Sequence, residues 1–482
     1  MKRLFITLVC LSLFAGCTSP SYSSIDNPSA GGDATSKQIV DYIDMRLEQE
    51  YYWLDEVMER GGSFNRTLKW DKYLANSLSR LSTNGDDGYI TDNGQRIFYS
   101  YIRDAKSATR TTTTTEGFGL ELYYTIVSLD DNMLGFVINN VHAGSPAEAA
   151  NLRRGDMIIS INGKTINRDN YMTLFNSIEH NTASELRLVA QRQTATNANE
   201  ASVAATLQKG SYMATPVAHH SVITVPNSDK RIGYLVYTAF EADYDEHLLE
   251  ALATLAAEGV NSFILDLRTN GGGHVSSAVT LCSALLGAEH AGATLTELRR
   301  NPRNKTSLGN TTTLLEDVGV SLNLNELTVI CSEYTASASE LVVMGLRGLD
   351  IPVTVIGTTT EGKNCGMDVT RRTFGTTTVE YAPITFMCVN AKGFGEWGEG
   401  ITPDIDLSMD NTMGVKDEYF PMPRAEWGDL SYDIGLVAAV ASVTGKKIST
   451  SDYSATRANI AITPTIAVDR PFVGTLYEVE ER

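Results

Sequence analysis

The sequence predicts a multidomain chain of mixed α+β and α/β class, and three observations predict it. At 482 residues the chain exceeds what one hydrophobic core organises, which implies about three domains. Between Lys37 and about Leu81 apolar residues recur at helical spacing, as Ile39, Tyr42, Ile43, Leu47 and Tyr51 do in "IVDYIDMRLEQEYYWLDEVM". From about residue 208 onward, short apolar strands alternate with amphipathic helices, the pattern of a mostly parallel sheet.

The first segment, "MKRLFITLVCLSLFAGC", has a basic start at Lys2 and Arg3, an apolar stretch and small residues before Cys17. That is a secretory signal rather than fold. Its ending, "LFAGC", resembles a bacterial lipobox, which implies a lipoprotein signal peptide over 1–17 and acyl chains on Cys17. Such chains tether a protein to a membrane face without a spanning helix. The implied location is the cell envelope of a Gram-negative bacterium, facing the periplasm or the outside. Residues 18–35 are rich in Ser, Gly and Asp and read as a flexible tether, and 36–108 as an N-terminal helical domain.

"TRTTTTTE" (109–116) is low-complexity and reads as a linker or strand edge. A separate module follows over 117–207. Ser145–Pro146 is a helix start, with Pro at the first helical position. Gly155–Asp156 turns the chain into "MIISING", a strand ending in an Asn162–Gly163 turn. A second helix carries Tyr171, Leu174, Phe175 and Ile178 on one face. "GFGL" together with "AGSPAEAANLRRGDMIISINGKTI" resembles a PDZ domain. The resemblance implies that backbone amides of Gly117, Phe118, Gly119 and Leu120 hold a peptide's terminal carboxylate while the peptide adds a strand. The glycines suit this, because they let the backbone curl N–H groups toward an anion.

Residues 208–445 form the predicted α/β core. "RIGYLVYTAF" is a strand and "DEHLLEALATLAAEG" an amphipathic helix ended by Gly259. "NSFILDLRTNGGGHVSSAVTLCSALLG" is a buried strand, a glycine loop and a helix. "ELTVICS" and "IPVTVIG" are further strands, and "DLSYDIGLVAAVASVTG" closes with a helix. The remaining extension, 446–482, is polar and β-leaning and finds no place in this scheme.

Composition removes several classes of function. A formal charge of −19 repels phosphate backbones, so nucleic acid is not an expected partner. Cys282, Cys331, Cys365 and Cys388 lie in or beside apolar segments without CxxC spacing, and the seven histidines form no HExxH pattern. No metal site and no cofactor are expected, and the four cysteines read as buried free thiols.

The chemistry concentrates in "CSEYTASASELVVMGL" (331–346), where Thr335, Ser337 and Ser339 alternate with alanine ahead of a buried helix. A plain helix N-cap accounts for one hydroxyl there. A strand, a small-residue turn and a helix N-terminus also present a nucleophile beside N–H groups and a favourable dipole. No histidine is near in sequence, but "VIGTTTEGKNCG" sets Lys363 in a loop after the next strand. If the two strands are parallel neighbours, this loop falls beside the serine turn. Asp266 and Arg268 read as a structural charge pair, and His274 as a capping residue.

Together, the PDZ-like block, "LDLRTNGGG", "TASASE", "VIGTTTEGK" and "GITPDI" over residues 117–410 resemble the C-terminal processing peptidases, or tail-specific proteases. Those are serine endopeptidases with a Ser–Lys dyad on a crotonase-like (ClpP/crotonase) fold. The resemblance implies Ser337 as nucleophile, Lys363 as base, and backbone N–H groups of Gly272 and Ala338 as the oxyanion hole. It further implies substrates that are proteins or peptides with accessible C-terminal tails. A lysine acts as base only when neutral, and deprotonating one of ordinary pKa at pH 7 costs about 4.6 kcal/mol, so burial must disfavour the ammonium. The family often carries Gln four residues after the lysine, but here Met367 stands there, leaving Thr335 or a backbone carbonyl to orient the amine. The rival expectation is a peptide-binding lipoprotein with a weak or inactive core.

Overall fold

A computed structural model describes residues 34–82, 86–90, 96–105, 114–128, 133–179, 183–194, 197–408, 425–430, 433–446, 463–467 and 477–479, together with Phe420 and Pro423. Cys17, the signal segment and the tether up to residue 33 lie outside the described residues.

The core is a six-stranded sheet in the order Val217–Thr224, Arg231–Tyr237, Ser262–Asp266, Leu327–Cys331, Val353–Gly357, Ile405–Asp406. The first strand pairs antiparallel and the other neighbours are parallel. Ser262–Asp266 and Leu327–Cys331 are buried at every position, which is why they read as continuous apolar runs rather than alternating ones. Helices Asp245–Ala257, Val275–Leu286 and Ala338–Gly348 contribute to one large apolar cluster with this sheet. Helix Ile434–Thr444 joins a second cluster with Ile232, Tyr234, Ile264, Ile330 and Ile356. In the parallel strands successive side chains point to opposite faces, so Ile264 and Leu265 feed different clusters.

A second sheet, whose core strands pair antiparallel, was not legible in the sequence pattern. Its order is Thr311–Leu314, Thr294–Arg300, Ile384–Asn390, Cys365–Phe374, Thr377–Ala382, Tyr101–Asp104. The N-terminal helices Ala34–Glu50, Leu54–Arg60 and Trp70–Leu78 pack on it, burying Ile39, Tyr42, Ile43, Leu47 and Tyr51 with Met367, Val379, Tyr381 and Ile384. Because Tyr101–Asp104 pairs with Thr377–Ala382, the N-terminal segment shares both a sheet and an apolar cluster with the region read as the core.

The middle module holds strands Leu120–Ser128, Leu134–Val141, Met157–Ile161, Glu185–Thr194 and Asn197–Gln208 in one sheet. Ser145 caps helix Pro146–Ala149, its Oγ accepting from Glu148 N at 3.2 Å. Asn162 and Gly163 both take positive φ, as the sequence turn requires. Leu174, Phe175 and Ile178 of helix Tyr171–Glu179 are buried in this module's own cluster.

Candidate active site

Three neighbouring parallel strands end at the same edge of the core sheet, and their following segments meet there. Ser262–Asp266 leads into the glycine loop, Leu327–Cys331 into the serine turn, and Val353–Gly357 into the lysine loop. Crevices at the carboxyl ends of parallel strands are where such sheets bind ligands.

The three hydroxyls of the turn have different fates. Thr335 Oγ1 donates to Leu267 O at 2.8 Å and accepts from Ser332 N at 2.9 Å. Ser339 Oγ donates to Asn270 O at 2.9 Å. Both fasten the turn to the preceding loop. Ser337 Oγ, in a residue only 1% exposed, is among the buried side-chain oxygens left without a hydrogen-bond partner among the described residues. Its backbone sits at φ 60°, ψ −114°, a region that a serine enters only when its surroundings hold it there. This buried hydroxyl sits on a strained turn at the N-terminus of helix Ala338–Gly348, where Ser337 and Glu340 stand at the two positions of a capping box.

Glu340 holds the site together. Its Oε2 accepts from the backbone N–H groups of Ser337 and Lys363, each at 2.8 Å. Its Oε1 accepts from Gly362 N at 2.8 Å and from Thr360 Oγ1 at 2.5 Å. One carboxylate thus clamps the serine turn to the lysine loop, and Glu361 N adds a bond to Thr335 O at 3.0 Å. Burial pushes the Glu340 carboxyl up to about 7 against the pull of these donors. Sequence reasoning quoted this residue without giving it a role. Its position three after Ser337, where a capping-box acid falls, was the available signal.

Lys363 is 2% exposed, and burial drives its pKa below the ordinary lysine value, with Cys365, Asp87, Glu361 and Glu340 opposing. The carboxylates around it are engaged elsewhere as well. Asp87 accepts from Tyr51 Oη at 2.8 Å, Ser100 N at 2.8 Å and Ser100 Oγ at 2.7 Å. Glu361 accepts from Tyr99 Oη at 3.2 Å. Lys363 Nζ lies 4.6 Å from the centre of the Tyr99 ring. Asp87 and Tyr99 come from the N-terminal segment, more than 250 positions upstream, so no local pattern announced them.

Two expectations need correction. Thr335 does not turn toward the lysine, because its hydroxyl is spent on Leu267 and Ser332. The Gly272 N–H donates to Asn270 Oδ1 at 2.9 Å, so it does not point freely at the reacting position. Gly272 nonetheless lies against the serine: at φ 107°, a Cβ on it would fall 2.8 Å from Ser337 Cβ and 2.9 Å from Ala338 N. The Ala338 N–H has no acceptor among the described residues.

Other residues are placed as read. Arg268 pairs with Asp266 at 2.6 Å and with Asp433 at 2.8 Å, fixing the C-terminal helix to the sheet. His274 Nδ1 lies 3.1 Å from Phe240 O and 3.3 Å from Ala242 N, engaged with backbone. The four described cysteines are free and buried. Met367 is fully buried in the apolar cluster with the N-terminal helices. In the PDZ-like module, Gly119 takes φ 77° and a Cβ there would strike Ser145 Cβ at 2.1 Å, so the Gly117–Leu120 loop requires that glycine. Phe118 is buried beneath it, with Phe118 O accepting from Ala147 N at 3.0 Å.

Residues 231–407 match the family model "Peptidase family S41", and residues 110–191 match "PDZ domain". A "Probable CtpA-like serine protease" of Staphylococcus aureus (strain bovine RF122 / ET3-1) is 22% identical over 346 residues, 71% of this chain. The chain spans 63% of that relative's length. The "Carboxy-terminal processing protease CtpA" of Bacillus subtilis (strain 168) is 22% identical over 394 residues, covering 80% of this chain and 72% of the relative. Among solved structures, a putative S41 protease from Bacteroides fragilis NCTC 9343 superposes with a TM-score of 0.65 at 22% identity, covering 84% of this chain and 97% of that one. Both family models fall on the two modules whose geometry has been described: the chain carries a peptidase family S41 core and a PDZ domain, and over most of its length it is similar to carboxy-terminal processing proteases.

Proposed function

We propose that this chain is a serine endopeptidase in which Ser337 attacks the scissile carbonyl and Lys363 takes its proton. Lys363 then returns a proton to the leaving amine, and water releases the acyl-enzyme. The single observation that carries this is the clamp of Glu340 on both Ser337 N and Lys363 N, which holds the buried serine turn against the lysine loop. Burial favours the neutral amine the reaction needs. Ala338 N–H supplies the open oxyanion donor, and the Gly272 N–H becomes a second when Asn270 yields it. The ring of Tyr99, rather than a glutamine, packs against the lysine amine.

Substrates on this reading are protein tails that the PDZ module binds by strand addition, with the Gly117–Leu120 loop receiving the terminal carboxylate. Residues 1–17 serve as a lipoprotein signal peptide, and acylated Cys17 holds the enzyme to the cell envelope of a Gram-negative bacterium. The test is casein hydrolysis by the wild type and Ser337→Ala, with a fluorophosphonate probe on wild type and Lys363→Ala. Hydrolysis and labelling lost in the variants are expected. Equal traces would remove the enzyme reading and leave a peptide-binding lipoprotein.

A further inference from the structure

The strand Leu120–Ser128 has two edges. Leu134–Val141 occupies one of them. The other is the edge on which a peptide ligand of a PDZ module adds as an antiparallel strand. In this structure that edge is not vacant: Thr463–Ala467, from the chain's own C-terminal extension, pairs with it antiparallel. Thr463 stands opposite Ser128, Pro464 opposite Val127, Ile466 opposite Ile126 and Ala467 opposite Thr125. The tail runs toward the Gly117–Leu120 loop as its numbering rises, which is the polarity of a bound C-terminal peptide. Pro464 is compatible with a strand that has no further neighbour among the described residues, since an outermost strand does not need every N–H in the ladder.

We propose that Thr463–Ala467 is a resident ligand of the PDZ groove, and that substrate tails enter it only by displacing this segment. The proposal rests on the reading of the module as a peptide-binding PDZ domain, and not on the protease chemistry. A ligand joined to its site is present at an effective concentration in the millimolar range, so even a segment of modest intrinsic affinity holds the groove against dilute competitors. The same extension makes a second attachment. Tyr477–Val479 pairs in parallel with Met367–Val369, in the strand that begins two residues after Lys363. The same extension is thus paired both with the strand of the PDZ-like module and with the strand that follows the lysine loop.

The experiment uses the full chain carrying Ser337→Ala, so that nothing is cut, with and without Ile466→Pro plus Ala467→Pro. In an antiparallel ladder alternate N–H groups face the partner, so two consecutive prolines remove whichever one faces Leu120–Ser128. The probe is a fluorescein-labelled peptide of residues 461–482 with a free carboxylate, titrated by fluorescence anisotropy. The double-proline chain should bind it about tenfold or more tightly than the parent. Equal affinities, or no binding to the double-proline chain, overturn the proposal. A second variant guards against a folding defect. Ser128→Cys with Thr463→Cys faces two opposed positions whose Cβ atoms in such a pair lie about 5 Å apart. It should cross-link on mild oxidation, block the probe at all concentrations, and regain binding on reduction; failure to cross-link overturns the proposal. A dead protease would leave these results unchanged, while loss of casein hydrolysis in the wild type would sink the enzyme reading alone.

Discussion

Replacing Glu340 with Gln tests the clamp directly. The carboxylate accepts four hydrogen bonds, two at each oxygen. An amide keeps one oxygen, so in either orientation two buried donors face an NH2 group that cannot accept from them. A hydrogen bond to a charged group is worth about 1.5–3 kcal/mol, and the pair together about 3–6 kcal/mol. For a core of this size that is a drop in melting temperature of roughly 10 °C or more. The damage falls on the two amides that register Ser337 against Lys363, or on the pair that holds the lysine loop. Displacement of about 1 Å between reacting groups costs on the order of 100-fold, so fluorophosphonate labelling of Ser337 should slow by about that factor. Differential scanning calorimetry and labelling kinetics on the same preparation provide both numbers. A Glu340→Gln chain that melts and labels like the wild type would refute the claim that this carboxylate assembles the site.

Lys363→Met should abolish labelling and yet raise the melting temperature near neutral pH. The folded state lowers the lysine's pKa, so the penalty is fully present below that value and disappears as pH climbs toward the ordinary 10.5, where the unfolded lysine also loses its proton. Melting curves of the two chains should therefore converge with rising pH, and a gap independent of pH would contradict the burial argument. Wild-type labelling should climb with pH, because the neutral amine is favoured and Glu340, pushed up to about 7, ionises in the same direction. A flat or falling profile counts against both assignments. Gly272→Ala combines a φ of 107° with backbone atoms 2.9 Å from the new methyl, and should cost about 2–4 kcal/mol in urea unfolding while suppressing labelling. An unaffected Gly272→Ala would show that the glycine loop does not press on the serine turn.

The chemistry was readable where it is local. "TASASE" and "VIGTTTEGK" each carry their candidate catalytic residue within a few positions of a strand end, and the alternation of strands with helices implied the parallel neighbours that bring the two loops together. The charge pair of Asp266 and Arg268 was readable for the same reason. The antiparallel sheet from Thr294 to Ala382 was not, because Cys365–Phe374 is buried at its start and exposed later, and its pairing with Thr377–Ala382, Ile384–Asn390 and Tyr101–Asp104 leaves no single period. Nothing near Tyr101 signals its strand partner Ala382, about 280 positions away.

By itself the sequence determined the kinds of group available: an acidic chain, a serine in a small-residue turn, a lysine after the next strand, and a glycine loop preceding both. Short-range physics suffices there, because strand ends and turn residues are set by their immediate neighbours. Only the tertiary structure decided how the three hydroxyls of the turn are used, that Glu340 joins the two loops, that Tyr99 and Asp87 lie about the lysine, and that Thr463–Ala467 pairs with Leu120–Ser128. Each of those is a contact between segments distant along the chain, and burial and hydrogen bonding between such segments exist only once the fold has closed.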